Sequence, residues 1–197
     1  RRTITDLLFN NAMYIIILIA VIYIAIRVPA FLSTSSIVNI ISLTAAKLPI
    51  ALGIAGAIVL TGTDISAGRC VGLTACIAAS LLQMVGYANK IFPNIGVIPL
   101  WAVLLLVIAV GAVIGFVNGF FVAKLHPFIV TLSTQLIVFG LVLMYLMLGG
   151  NNGQTLSGLD SSYTDFVRGT LFKIGDVAIP KYVLYSLILT GIMWIIW

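Results

Sequence analysis

The sequence predicts an all-α fold, a polytopic transmembrane helical bundle. Three observations carry that prediction. Apolar residues make up 62% of the 197 residues and charged residues only 8%, against about 25% charged in an ordinary soluble domain. Mean hydropathy is +1.25. Six apolar runs near span length follow one another along the chain. A helix needs ~20 such residues to cross hydrocarbon, because each backbone N–H and C=O must find its partner inside the segment.

The first run is about Leu7–Ile26. It follows Arg1 and Arg2 and ends at Arg27-Val28-Pro29 without a small-residue cleavage site, so it reads as a retained span rather than a signal peptide. The second, about Ile37–Leu60, is interrupted by Lys47-Leu48-Pro49. Proline removes a donor and kinks a helix, so this span is expected to be bent or broken there. Lys47 then either snorkels to the interface or marks a junction between two half-helices. The third run is about Gly68–Val85, the fourth Ile98–Ala123, the fifth Pro127–Leu148 and the sixth Tyr182–Trp197. Leu184–Trp197 carries no charge and no polar stop. The expectation is one transmembrane domain over 1–197 that is truncated, its further spans lying beyond this sequence.

The connections hold the polarity. Gly86–Gly96 is turn-rich, with Asn89, Lys90, Pro93 and Asn94. Lys124-Leu125-His126-Pro127 is very tight. Gly149–Pro180 is long, holds Asp160, Asp165 and Asp176, and opens with the turn signal Gly149-Gly150-Asn151-Asn152-Gly153. A short surface helix is expected over Thr164–Leu171. With the N-terminus inside, Arg1, Arg2, Arg69 and Lys124 lie inside, and Arg27, Lys90, Arg168, Lys173 and Lys181 outside. Residues 149–180 are then a periplasmic loop. That distribution is not a positive-inside bias, so the orientation rests on the resemblance described below.

Several function classes are excluded by inventory. The chain has five acids, all Asp, and a single histidine, His126. Cys70 and Cys76 sit six apart on nearly opposite faces of one helix, too far for a disulfide within it, and read as packing residues. No metal site and no cofactor are expected. No phosphate loop, dinucleotide fingerprint, nucleophile elbow or H-E-x-x-H occurs. The chain is therefore not read as an enzyme, and any ATP use must come from a partner. Its net charge of +5 is scattered without a basic stripe, which suits headgroup anchoring and not nucleic acid.

One segment concentrates the chemistry. Between the second and third runs lies Thr61-Gly62-Thr63-Asp64-Ile65-Ser66-Ala67-Gly68-Arg69. Charge and interrupted backbone beside hydrocarbon are costly and tend to mark function. Gly62 and Gly68 permit a turn, Ser66 is expected to cap the third span, and Asp64 gains from the dipole of that helix. The competing reading is a plain hairpin with Asp64 and Arg69 solvated. Asn118 sits in the stripe Gly111-xxx-Gly115-xxx-Gly119, either as an interhelical hydrogen bonder or as a polar pathway residue. That stripe, with Gly68-xxx-Gly72, has the spacing that lets helix backbones pack closely in lipid.

These stretches resemble a known family, the ribose/galactose-type sugar ABC importer permeases. The resemblance is carried by Leu52-Gly53-Ile54-Ala55-Gly56, by Thr61–Arg69, by Val71-Gly72-Leu73-Thr74-Ala75 and by Leu81-Leu82-Gln83. It continues through Ala88-Asn89-Lys90-Ile91-Phe92-Pro93, Gly111–Gly115, Asn118-Gly119, Pro127–Leu132 and Ser157-Gly158-Leu159-Asp160-Ser161. The string T-G-T-D-[IL]-S-A-G-R is the most specific, and it points to the galactose/methyl-galactoside branch. The link at 123–127 is shorter than is usual in that family.

The resemblance implies a type II importer-like permease of about ten spans, of which this chain holds about six. The ATPase-coupling loop lies after the sixth. It also implies a second permease copy, two ATPase subunits or a fused ATPase, a periplasmic sugar-binding protein, a sugar substrate and the bacterial inner membrane. Thr61, Asp64, Ser66, Arg69, Asn118 and Thr131 are then candidates for the translocation path or its hinge. The alternative is a self-sufficient secondary transporter or channel subunit. A secondary transporter needs intramembrane acids, for which only Asp64 offers itself, and no channel filter is seen.

Overall fold

The computed structural model describes residue 9 and residues 11–196 apart from Thr61, Val97, Gly175 and Asp176. Seven α-helices and one hairpin follow in order among the described residues: α1 (Ala12–Arg27), α2 (Thr34–Val59), α3 (Ala67–Leu81), α4 (Leu100–Val122), α5 (Pro127–Leu146), α6 (Ser161–Arg168), β1 (Thr170–Ile174), β2 (Val177–Pro180) and α7 (Lys181–Ile196). Short 3-10 turns at Pro29–Leu32 and Leu148–Gly150 complete the path.

All six apolar runs contain an apolar helix. By length and composition α2, α4 and α5 are long enough to cross a membrane, whereas α1, α3 and α7 are apolar but have only 16, 15 and 16 residues. The third run is shortened because the chain leaves the helix at Leu82 to enter a clasp. Large apolar side chains such as Ile16, Leu105, Phe116 and Ile137 stay exposed along the helices. Exposed apolar area on this scale is unstable in water but is solvated by hydrocarbon. The chain is a multi-pass membrane protein.

Two corrections concern elements. The second span is not broken: α2 runs unbroken through Pro49. Proline removes one donor and leaves the remaining ladder intact, which a 26-residue helix can absorb. Lys47 is exposed on its side, so the half-helix junction is not what the lysine marks. The second correction is the antiparallel β1–β2 hairpin inside 149–180, a region where an all-α fold was expected. Its strands read Thr-Leu-Phe-Lys-Ile and Val-Ala-Ile-Pro, rich in residues that fit a pleated surface. The expected surface helix is present, three residues earlier, as α6. It starts there because Asp160 accepts a hydrogen bond from the Ser162 N–H at 2.9 Å and caps it.

Packing falls into two groups. Helix α3 packs against α5 and α4, and α4 against α5. Helix α2 packs along α7, and the hairpin and α6 join that pair. Helix α1 has no buried residue and meets mainly the following 3-10 turn. The groups meet at both ends. At one end Gly62 approaches Pro127. A Cβ on Gly62 would lie 3.5 Å from the Pro127 Cβ and 3.3 Å from the Ala57 carbonyl oxygen, so a small residue suits that contact.

At the other end a clasp joins 82–99 to 146–160. The Gln83 side chain is fully buried. It donates to the Ser157 carbonyl at 3.0 Å and accepts from the Ile91 N–H at 3.0 Å. Met84 N–H donates to Gly158 and Asp160 N–H to Leu82, at 2.8 and 2.9 Å. Tyr145, on α5, shares a 2.5 Å hydrogen bond with Ser80 at the end of α3.

Candidate functional site

The turn between α2 and α3 has few backbone partners of its own, so side chains supply them. Asp64 Oδ1 accepts from the Ser66 backbone N–H at 2.8 Å and from the Ser66 hydroxyl at 2.6 Å. The carboxylate therefore folds back over the start of α3. Ser66 stands at the N-cap position, but its side chain makes no capping bond. The expected Ser66 cap is corrected on this point, because the hydroxyl is already committed to Asp64.

From Ser66 the hydrogen bonds run on into the bundle. Asn118 Nδ2, on α4, donates to Ser66 Oγ at 3.0 Å. Thr134 Oγ1, on α5, donates to Asn118 Oδ1 at 2.6 Å. Every donor in this row points toward Asp64, so the row ends on an ionised acceptor, the arrangement that strengthens such bonds. Thr131 lies beside it, its hydroxyl 3.0 Å from both the Thr63 and Pro127 carbonyl oxygens. Ser66, Asn118 and Thr131 are all buried, at 1%, 8% and 3% exposure. Buried polar groups in lipid must be satisfied internally, and these are.

Beside the row lies a cavity of about 250 Å³. Its walls come from the end of α2, from Thr63 and Asp64, from Gly115, Asn118 and Gly119 on α4, and from Pro127 and Thr131 on α5. Asp64 is half-buried. Its second carboxylate oxygen has no partner among the described residues, and one Asn118 N–H is likewise unused. The arrangement can present an acceptor and a donor to a neutral polar molecule. It holds no cluster of groups suited to a metal among the described residues.

The structure thus brings Asp64, Ser66, Asn118 and Thr131 together, and leaves Arg69 out. The Arg69 guanidinium is exposed and stacks 4.2 Å from the Phe139 ring centre, with no ion pair to Asp64 among the described residues. Thr61 lies outside the described residues. Thr134 was missed. A helical hairpin folded about the link at 123–126 sets residues equidistant from it side by side, which places Asn118 against Thr131 and its neighbour one turn on. That register was the available signal. A Cβ on Gly68, Gly72, Gly111, Gly115 or Gly119 would meet nothing within 4 Å among the described residues, so no described helix approaches them closely.

Sequence comparison adds the decisive observation. The chain is 38% identical over 199 residues to the galactose/methyl galactoside import permease protein of Escherichia coli strain K12, covering 100% of this chain and 58% of that protein. The equivalent protein of Salmonella typhimurium is 40% identical over 190 residues, covering 95% of this chain and 56% of its own length. That of Haemophilus influenzae is 39% identical over 194 residues, covering 98% and 57%.

The chain is similar along nearly its whole length to galactose/methyl galactoside import permeases.

No family model and no solved structure matches it. The chain spans a little over half the length of these relatives. Its polar row joins three helices, α3, α4 and α5.

Proposed function

We propose that this chain is the membrane-spanning permease subunit of a binding-protein-dependent ABC importer for galactose and methyl galactosides. The observation that carries the reading is the match along the whole chain to relatives bearing that name. In this reading α1, α2, α3, α4, α5 and α7 are six spans of the bacterial inner membrane, with the N-terminus inside. Residues 149–180, including α6 and the hairpin, form a periplasmic loop. The working assembly contains a second permease copy, two ATPase subunits or a fused ATPase, and a periplasmic sugar-binding protein. ATP hydrolysis belongs to the ATPase partner.

The mechanism is alternating access. The row Asp64–Ser66–Asn118–Thr134 makes α3, α4 and α5 one body, and the α2–α7 pair with its hairpin makes another. The turn at 60–66 is where the two can shift against each other. ATP-driven closure of the ATPase pair would select between two arrangements of these bodies, and interfaces between packed bodies switch rather than bend. Asp64, Ser66, Asn118, Thr131 and Thr61 lie at or near the path in this reading, and Arg69 anchors the outside of the bundle.

The test is co-purification of the full-length protein in mild detergent, with ATPase activity measured with and without galactose-loaded binding protein. A co-purifying ATPase stimulated by the loaded binding protein is expected. A permease that purifies alone yet moves sugar or ions in liposomes would replace this reading with a secondary transporter or a channel.

A further inference from the structure

Glycines at four-residue spacing usually let helices touch, yet Gly115 and Gly119 face a cavity instead. They form one wall of the 250 Å³ space, where a Cβ on either would meet nothing within 4 Å. Gly111, one turn earlier on the same stripe, also faces open space but lines no part of that cavity. Asn118 stands between them on α4, and Asp64 lines the space from the turn before α3. Asp64 offers a carboxylate oxygen without a partner among the described residues. Asn118, nine-tenths buried, offers an unused N–H. Thr131 has its hydroxyl already engaged, so it shapes the wall rather than binds.

One acceptor and one donor on the same space can meet two hydroxyls of a sugar. The two glycines leave room for the ring beside α4. Pockets for drug-sized ligands run about 300–1,000 Å³. A space of about 250 Å³ is of the size of one monosaccharide. We propose that this cavity is a single-sugar compartment in which Asp64 and Asn118 hold two hydroxyls and Gly115 and Gly119 provide clearance for the ring. The proposal rests on the importer reading. It gives the glycines a different task from helix packing, because their value here is the space they leave.

The test uses the full-length permease assembled with its ATPase and binding protein, in a background with Cys70→Ala and Cys76→Ala. D-Galactose uptake by that assembly is measured first, and no uptake would remove the importer reading and this proposal with it. Gly115→Cys and Gly111→Cys are then labelled with a small methanethiosulfonate reagent, with ATP and binding protein present, with and without D-galactose. Sugar is expected to slow labelling at residue 115 several-fold and to leave residue 111 unchanged. Uptake by Gly115→Val is expected to fall by roughly tenfold or more, since an added methyl in a fitted pocket changes selection by about 10–200-fold. Gly111→Val should transport normally. Normal wild-type uptake with no protection at residue 115, or with equal protection at residue 111, overturns the compartment.

Discussion

Asn118 couples three helices through one amide, accepting a hydrogen bond from Thr134 and donating one to Ser66. Asn118→Leu removes both bonds and leaves the Ser66 oxygen and the Thr134 hydroxyl short of a partner. Such losses cost about 1–3 kcal/mol in soluble proteins and nearer 0.6 kcal/mol on average between helices in lipid. We expect a loss of about 1 kcal/mol, measured as a lower thermal unfolding midpoint in mild detergent. Asp64→Asn tests the other end of the row. The amide can still accept from Ser66, but the charge-assisted character goes, and such bonds are roughly twice as strong as neutral ones. Membrane insertion should be normal and galactose uptake should fall, and full uptake in both Asp64→Asn and Asp64→Ala would remove any special role for this residue. Most of the row was legible in the sequence, because polar residues inside apolar runs are few and each needs a partner. The capping role was not. Asp64 and Ser66 are both able to cap, and only the backbone path decides which of them does.

Glycines behave as elements dictate, and the sequence does not say which kind each is. Gly149 and Gly158 adopt φ of +61° and +71°, where side chains are strained. A Cβ on Gly149 would collide with the Ile91 carbonyl, and one on Gly158 would reach the Tyr87 ring. Gly149→Ala should therefore destabilise by about 2 kcal/mol or more, adding a clash to a left-handed cost of roughly 1–2 kcal/mol. Gly111→Ala in α4 should be neutral to stabilising by up to about 1 kcal/mol, the helix propensity difference. Thermal unfolding of the two variants in detergent should move in opposite directions or differ by several degrees, and equal midpoints would contradict the described packing. The turn signal at 149–153 was readable because Gly and Asn are the residues that accept positive φ. The hairpin at 170–180 was hidden by its length, since short apolar stretches of this size fit a strand or a helix end equally. The persistence of α2 through Pro49 was hidden for another reason. Proline states only what is lost at one position, whereas continuity depends on the whole ladder around it.

Taken together, the helices make two bodies joined at both ends, and the clasp fixes which loops share a side. Gln83 meets Ser157 and Met84 meets Gly158, so 82–96 and 148–160 share one end of the helices, and the link at 123–126 lies at the other. Cysteines placed at Asn94 and Thr155 should both react with a membrane-impermeant maleimide in intact cells, in the Cys-free background. A cysteine at Leu125 should react only after permeabilisation. Reaction of all three from the same side would break this topology. The number of apolar runs was legible from composition alone, because hydrocarbon leaves a chain few alternatives. The grouping into α3–α4–α5 and α2–α7 was not, because α2 and α7 are separated by the whole of the first group and packing between apolar helices has no strong pattern to read. The clasp also imposes an order in time. Gln83 and Ser157 are 74 residues apart, so as the chain emerges residue by residue the amide of Gln83 must wait in water, unmatched, while α4 and α5 are threaded. Only when the segment near residue 157 arrives can that end of α3 be fastened.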